Sequence, residues 1–234
     1  MKRLKADLHT HAADDPTDGL SYSAEMLIDA ASQLNFDVVA ITCHKRLVYT
    51  ERLAEYARRR KLLLIPGVEL DFGEGHIVVL NPDEEQCAAA GFDELRAARG
   101  RGEVIIAPHP FYPTSRSLRG AFVENVDLFD AVEYCALHAP GVNLNRRAVR
   151  VARKHGLPLV GTSDTHGLPY AGDTYSWIEA APSVAGVLEA VRAGRVDVVT
   201  RRAPMSRFAR VAQHVVCDFL KGVVGMHEEE VRPS

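Results

Sequence analysis

Residues 7–11, Asp-Leu-His-Thr-His, decide how this chain is read. They close an alternation of Leu4, Ala6 and Leu8, and in an extended strand side chains two apart share a face. Leu4, Ala6 and Leu8 therefore fall on one face, and Asp7, His9 and His11 on the other. Two imidazoles about 7 Å apart along one face can converge on a single metal ion. The same five residues also describe an ordinary polar strand face, so the remaining chain has to choose.

Downstream, the polar loop AADDPTDGLSY leads into SAEMLIDAASQLN, where Ser23 can cap a helix with an apolar face of Met26, Leu27, Ala30, Ala31 and Leu34. FDVVAIT, LLLIPGVEL, GHIVVLNP, EVIIAPHP, DAVEYCALH, LPLVGTSDTH and VDVVT read as short apolar strands, the second segment with a break at Gly67. Helices are expected over about Thr50–Lys61 and Phe92–Arg101, in NLNRRAVRVARKHG closed by Gly156, in SVAGVLEAVRAG, and from about Pro204 to Leu220. Strands and helices in alternation, with strands this apolar, mean a parallel sheet covered on both faces, either open or closed into a barrel. The terminal helix carries an apolar stripe of Phe208, Val211, Val215 and Phe219, suited to cover the barrel or to meet a second subunit.

With 234 residues and 47% hydrophobic content, one well-cored domain over residues 1–225 is expected, followed by a flexible tail at 226–234. A net charge of −3 gives no global argument for nucleic acid or membrane partners. No apolar run approaches the roughly 20 residues a membrane helix needs, and MKRLKADLHTH is too short and polar for a signal peptide. Cys43, Cys87, Cys135 and Cys217 show no CxxC spacing and read as free thiols in a reducing cytoplasm.

Strand ends carry the chemistry. His9 and His11 end the first strand, His44 the second, and Glu69 sits in LIPGVEL. His76 begins GHIVVL, His109 ends VIIAPHP, and Asp164 and His166 end LVGTSDTH. Barrels of parallel strands build their active sites at such ends. Of the ten histidines, His138, His155, His214 and His227 lie elsewhere and read as solvent-exposed or locally satisfied. Histidine with carboxylate and no thiolate suits zinc, manganese or iron, and so many donors imply two or three divalent ions.

Taken in order, DLHTH, ITCH, GVEL, GHIVVL, APHP and GTSDTH resemble the PHP (polymerase and histidinol phosphatase) superfamily over about Asp7–Trp177. The resemblance implies a distorted (β/α)7 barrel, a bi- or trinuclear metal centre and phosphoesterase chemistry. It also implies ligand sets: His9, His11, Glu69 and Asp164 for one ion, and Glu69 as a bridge to a second held by His76 and His109. A third ion would take His44, His166 and a residue of the first loop. Asp18 of the TDG run fits best there, with Asp15 and Asp14 as neighbouring candidates. ITCH departs from the family's TDH at Cys43, so the usual acid beside His44 is absent.

In such a centre a water bridging two ions is the expected nucleophile, with Glu69, Asp164 and His166 as the catalytic groups. Arg116, Lys45 and Arg46 lie beside the motifs and are candidates to bind the substrate phosphate, or else solvated loop charges. Tyr112 and Tyr170 are candidates to stack on a substrate ring. A small phosphomonoester, histidinol-phosphate-like or nucleotide-like, is the expected substrate of this cytoplasmic hydrolase. The alternatives are a phosphodiesterase acting on oligonucleotides and a non-catalytic metal-binding scaffold. The basic stretch from Arg201 to Arg210 lacks the interleaved aromatics of a single-strand platform and reads as a solvated helix face.

Overall fold

The computed structural model describes residues 1–100, 102–136, 138–139 and 142–201. The expected terminal helix with its apolar stripe, most of the basic stretch after Arg201, His214, His227 and the tail at 226–234 lie outside the described residues. The opening alternation forms strand β1 (Lys2–Thr10), in which Leu4, Ala6 and Leu8 are buried. Ser23 caps α1 (Ala24–Gln33), its hydroxyl accepting the Met26 N–H, and Ala24, Leu27, Ile28 and Ala31 form the buried face. Met26, expected on that face, is half exposed instead, because the buried stripe runs through Ile28.

Next come β2 (Val38–Ile41), α2 (Glu51–Arg58), β3 (Leu63–Asp71) and β4 (His76–Leu80). They are followed by α3 (Glu84–Ala88), α4 (Phe92–Ala97), β5 (Val104–Ala107), α5 (Gly120–Glu124) and β6 (Ala131–Cys135). A two-residue ribbon, β7 (His138–Ala139) with β8 (Val142–Asn143), precedes α6 (Arg146–His155), which Gly156 ends in the left-handed region at φ 70°. The chain continues through β9 (Leu159–Thr162), β10 (Thr174–Ala180), α7 (Val184–Arg192) and β11 (Val196–Thr200). Among the described residues no helix is long and apolar enough to cross a membrane.

The strand order is β11-β10-β1-β2-β3-β4-β5-β6-β9. β1, β2 and β3 run parallel, as do β5, β6 and β9, but β4 is antiparallel to both neighbours. An all-parallel sheet was the expectation, and hydrophobic periodicity carries no information on strand direction. β3 is one continuous strand that changes partner at Gly67: Leu63–Pro66 pair with β2 and Gly67–Asp71 with β4. A Cβ on Gly67 would lie 2.7 Å from Thr42 Cγ2, so the switch requires glycine.

The barrel closes where the chain past β9 returns to β1. Thr10 and Thr165 bridge in parallel, Asp164 N–H donates to His9 O at 3.1 Å, and His11 N–H donates to Thr165 O at 3.2 Å. β10 and β11 extend the sheet antiparallel from β1, and β10 packs against β9. Leu4, Ala6, Leu8, Val38, Ile65, Val78, Ile106 and Val160 form one core cluster with the buried face of α7, while α1 and α2 cover β2 and β3 in a second. At the seam, Ser176 Oγ accepts the Gly161 N–H and donates to Gly161 O, while a Cβ at Gly161 would stand 2.5 Å from Tyr175 O. Gly161→Ala is therefore expected to cost about 1–3 kcal/mol, read as a lower urea midpoint; an unchanged midpoint would show that the seam has room.

Candidate metal centre

The antiparallel turn of β4 explains why one donor begins its strand while the others end theirs. His76 starts β4, so it stands on the same rim as the carboxyl ends of β1, β2, β5 and β9. Glu69, His9, His11, His44, His76 and His109 are all buried there. Glu69 lies at the middle. Its Oε1 is 2.9 Å from His76 Nδ1, 3.4 Å from His9 Nε2 and 3.6 Å from His109 Nε2. Its Oε2 is 3.1 Å from His44 Nε2 and 3.4 Å from His11 Nε2.

Asp164 enters from the opposite side, with Oδ1 3.3 Å from His9 Nε2, 3.4 Å from His11 Nε2 and 3.5 Å from His166 Nδ1. Asp18 Oδ2 lies 2.9 Å from His166 Nε2 and 3.3 Å from His44 Nδ1. Three donor sets emerge, each with its ligand atoms within 4.8 Å: His9, His11 and Asp164; His44, Glu69 and His76; and His11, Asp18, His44 and His166. His109 stays at the edge, reaching Glu69 and, at 3.9 Å, Asp164 Oδ2.

Two further buried carboxylates hold the imidazoles in place. Asp15 Oδ2 accepts from His11 Nδ1 at 2.9 Å, from His44 Nδ1 at 2.8 Å and from the His44 N–H at 2.8 Å. Asp15 thus orients His44 where the acid replaced by Cys43 was missed, and it turns His11 Nε2 toward the centre. The Cys43 thiol is buried, which pushes it up to about 12 and leaves it inert. Glu133, inside the otherwise apolar β6, accepts from His9 Nδ1 at 2.8 Å, from the His109 N–H at 2.5 Å and from the Thr162 hydroxyl. Sequence reading passed over Glu133; a lone acid in the strand AVEYC was the available signal. Asp7 lies beneath, accepting from the His9 and Ser163 N–H groups and from the Tyr170 hydroxyl, and burial raises its carboxyl to about 6.

Charges in the cluster hold one another. Burial alone would lower the His9 imidazole, but Asp164, Glu69 and Glu133 outweigh it and keep His9 well above the usual histidine range. Burial likewise opposes ionised Glu69 and Asp164, and the surrounding imidazoles hold both well below the ordinary carboxylate range. His109 and Asp164 adopt φ values of 28° and 48°, left-handed backbone uncommon for residues with side chains.

The donors fit divalent cations. Asp18 Oδ2 and Asp164 Oδ1 are buried and make no hydrogen bond, although imidazole nitrogens stand 2.9 Å and 3.3 Å away, and burying so many polar groups together is costly. A cation among the imidazoles and carboxylates would offset that cost, and a set of nitrogen and oxygen donors without thiolate suits zinc, manganese or iron.

The remaining candidates divide. Arg116 Nη1 stands 3.6 Å from Asp18 Oδ1, at the cluster. Lys45 instead pairs with Asp71 at 3.2 Å, and Arg46 reaches the Asp14 carbonyl at 3.4 Å, so neither side chain points at the donors. Tyr112 and Tyr170 are buried rather than displayed at the mouth: Tyr170 stacks on Phe36, and the Tyr112 hydroxyl donates to Cys135 O. His155 is exposed, as expected.

Residues 143–196 match a family model described as PHP-associated. An error-prone DNA polymerase of Nocardia farcinica is 33% identical over 100 residues, 43% of this chain, and the chain spans only 8% of that polymerase's length. PsfC from Pseudomonas syringae shares the fold with a TM-score of 0.64 at 18% identity, over 91% of this chain and 97% of its own. A candidate metal-dependent phosphoesterase from Bifidobacterium adolescentis does so at 0.53 and 15%, over 69% and 87%. A lesion-specific endonuclease from Pyrococcus furiosus does so at 0.58 and 14%, over 84% and 58%. The ordered motifs are thus gathered on one rim of a barrel whose fold these structures share, and residues 143–196 are similar to the PHP-associated family.

Proposed function

We propose that this chain hydrolyses phosphate esters at the rim cluster. Glu69 carries the reading: one buried carboxylate presents its two oxygens to five imidazoles, the arrangement of a group shared between cations. His9, His11, Glu69 and Asp164 would hold a first divalent ion, Glu69, His76 and His109 a second, and Asp18, His44 and His166 a third. Bound there, zinc, manganese or iron ions supply the Lewis acidity that makes water nucleophilic near neutral pH and offsets charge on phosphoryl oxygens.

The chain's own residues do the rest. Glu133 and Asp15 fix the ring orientation of His9, His11 and His44, so their Nε2 atoms face Glu69. Arg116, beside Asp18 at the mouth, offers a planar fork for a phosphoryl oxygen. His166 is the most exposed imidazole of the set, and while the third ion is not bound it can hand a proton to the leaving oxygen. Burial works against its charged form, but Asp164 and Asp18 outweigh that and bring it up to about 9.

The phosphoesterase and endonuclease among the proteins of this fold support a hydrolase of phosphoester bonds. A small phosphomonoester, histidinol-phosphate-like or nucleotide-like, is the first reading of the substrate. A phosphodiester is the second, favoured by a relative that is an error-prone DNA polymerase and a neighbour that is a lesion-specific endonuclease. Turnover of p-nitrophenyl phosphate against bis-p-nitrophenyl phosphate, with zinc, manganese and iron loaded in turn, decides: monoester turnover supports the first and diester turnover the second. Neither, in protein shown to carry ions, leaves a metal-binding scaffold. His166→Ala is expected to slow an alkyl phosphate by roughly 10²-fold and p-nitrophenyl phosphate far less, since nitrophenolate leaves without a proton. Equal losses on both would remove His166 from the acid role.

A further inference from the structure

Helix α6, sequence RRAVRVARKH, carries Arg146, Arg147, Arg150, Arg153 and Lys154, all exposed, and no acidic residue. Among the described residues none of these five cations has a carboxylate partner. Arg147 alone finds a neighbour, with its guanidinium 4.3 Å from the centre of the Phe111 ring. The contrast with α2 is direct. On α2 and just past its end, Arg52 pairs with Glu25 at 2.7 Å, Arg59 with Glu55 at 3.1 Å, Arg58 with Glu55 and Arg60 with Asp29. In a chain of net charge −3, five cations on ten residues, without a carboxylate partner among the described residues, form a local field of opposite sign to the whole.

Their spacing is ordered as well. Arg146, Arg150 and Arg153 stand at i, i+4 and i+7, one stripe along the helix, and Arg147 and Lys154 flank it on the next row. At 1.5 Å per residue the stripe runs about 10 Å, long enough to meet successive phosphates of one strand. The stripe begins at the catalytic rim. Asn145, just before the helix, accepts the Cys135 N–H at 3.1 Å and donates to Cys135 O at 3.0 Å, tying the start of α6 to the end of β6. β6 is the strand whose Glu133 orients His9.

We propose that this face of α6 binds the phosphodiester backbone of a nucleic acid strand and leads it to the barrel mouth. Four of the five cations are arginines, whose fork matches a phosphate bidentately, and a charged stripe that starts at the mouth suits a polymer whose esters the centre can reach. The inference rests on the phosphoester reading for what happens at the mouth; binding itself does not depend on it.

The test uses the full, metal-loaded chain and a fluorescein-labelled phosphorothioate single strand of 20 nucleotides, as DNA and as RNA, followed by fluorescence anisotropy across salt concentrations. Binding is expected at low salt. The triple substitution Arg146→Glu, Arg150→Glu and Arg153→Glu is expected to weaken it at least tenfold. The slope of log affinity against log salt should fall by about 2 as three single-strand phosphate contacts go. Turnover of p-nitrophenyl esters should stay within twofold, because none of the three belongs to the metal cluster. No binding by the unaltered chain, equal binding by the triple variant, or equal binding of polyglutamate would each overturn the proposal. Loss of ester turnover in the unaltered, metal-loaded chain would instead count against the phosphoesterase reading alone, since the anisotropy needs no catalysis.

Discussion

Glutamine at position 69 is expected to yield a folded chain that retains few divalent ions and turns over no phosphate ester. Glu69 faces His9, His76 and His109 with one oxygen and His11 and His44 with the other. An amide keeps the volume but removes the negative charge and replaces one acceptor with an NH2 donor. That donor must then face imidazole nitrogens already fixed by Asp15 or lying beside His76 and His109. On the proposed ligand sets, the ions on both sides would lose a ligand at once. The fall in kcat should be roughly 10³-fold or more, beyond the 10–100-fold usual for groups outside the ligand shell. Metal analysis after dialysis and ester turnover read the outcome, with circular dichroism confirming the fold. Full activity with full metal content would remove Glu69 from the centre.

Glu133→Gln should act more gently and by another route. Glu133 is fully buried and accepts from the His9 ring, the His109 N–H and the Thr162 hydroxyl. A glutamine can accept on one side only; its NH2 then opposes either the His109 N–H or the His9 and Thr162 donors. His9 loses the partner that sends its Nε2 toward Glu69 and Asp164. Metal affinity should fall about 10–100-fold, and stability by about 1–3 kcal/mol for the donor left unmatched in the interior. Competition with a calibrated chelator measures the first and the urea midpoint the second. Unchanged affinity would show that packing alone orients His9.

Much of this was visible in the chain itself, and the exceptions have physical causes. The alternation Leu4, Ala6, Leu8 and the histidines at strand ends needed only the period of a strand, and Gly67 marked a real change of pairing partner. Strand direction leaves no trace in periodicity, so the reversal of β4 was invisible, although His76 at the start of its strand was its signature. Three acids, Asp14, Asp15 and Asp18, lay close together in the first loop, and only the fold separates their parts. Asp15 grips two imidazoles from the outside, while Asp18 faces His44 and His166. Glu133 was legible as an anomaly, but its partners lie at the ends of other strands. Lys45 and Arg46 followed His44 in sequence, yet the chain turns there, with Lys45 at φ 54°, and their side chains leave the rim.

The hairpin between β3 and β4 ties two tasks together. Gly75 sits so close to the loop bearing Arg116 that a Cβ there would lie 2.6 Å from Leu118 N, and the His76 N–H donates to the Arg116 carbonyl at 2.9 Å. If Arg116 takes the phosphate and His76 a cation, as proposed, the two would share one strut, and by thermodynamic reciprocity cation binding and anion binding would strengthen each other.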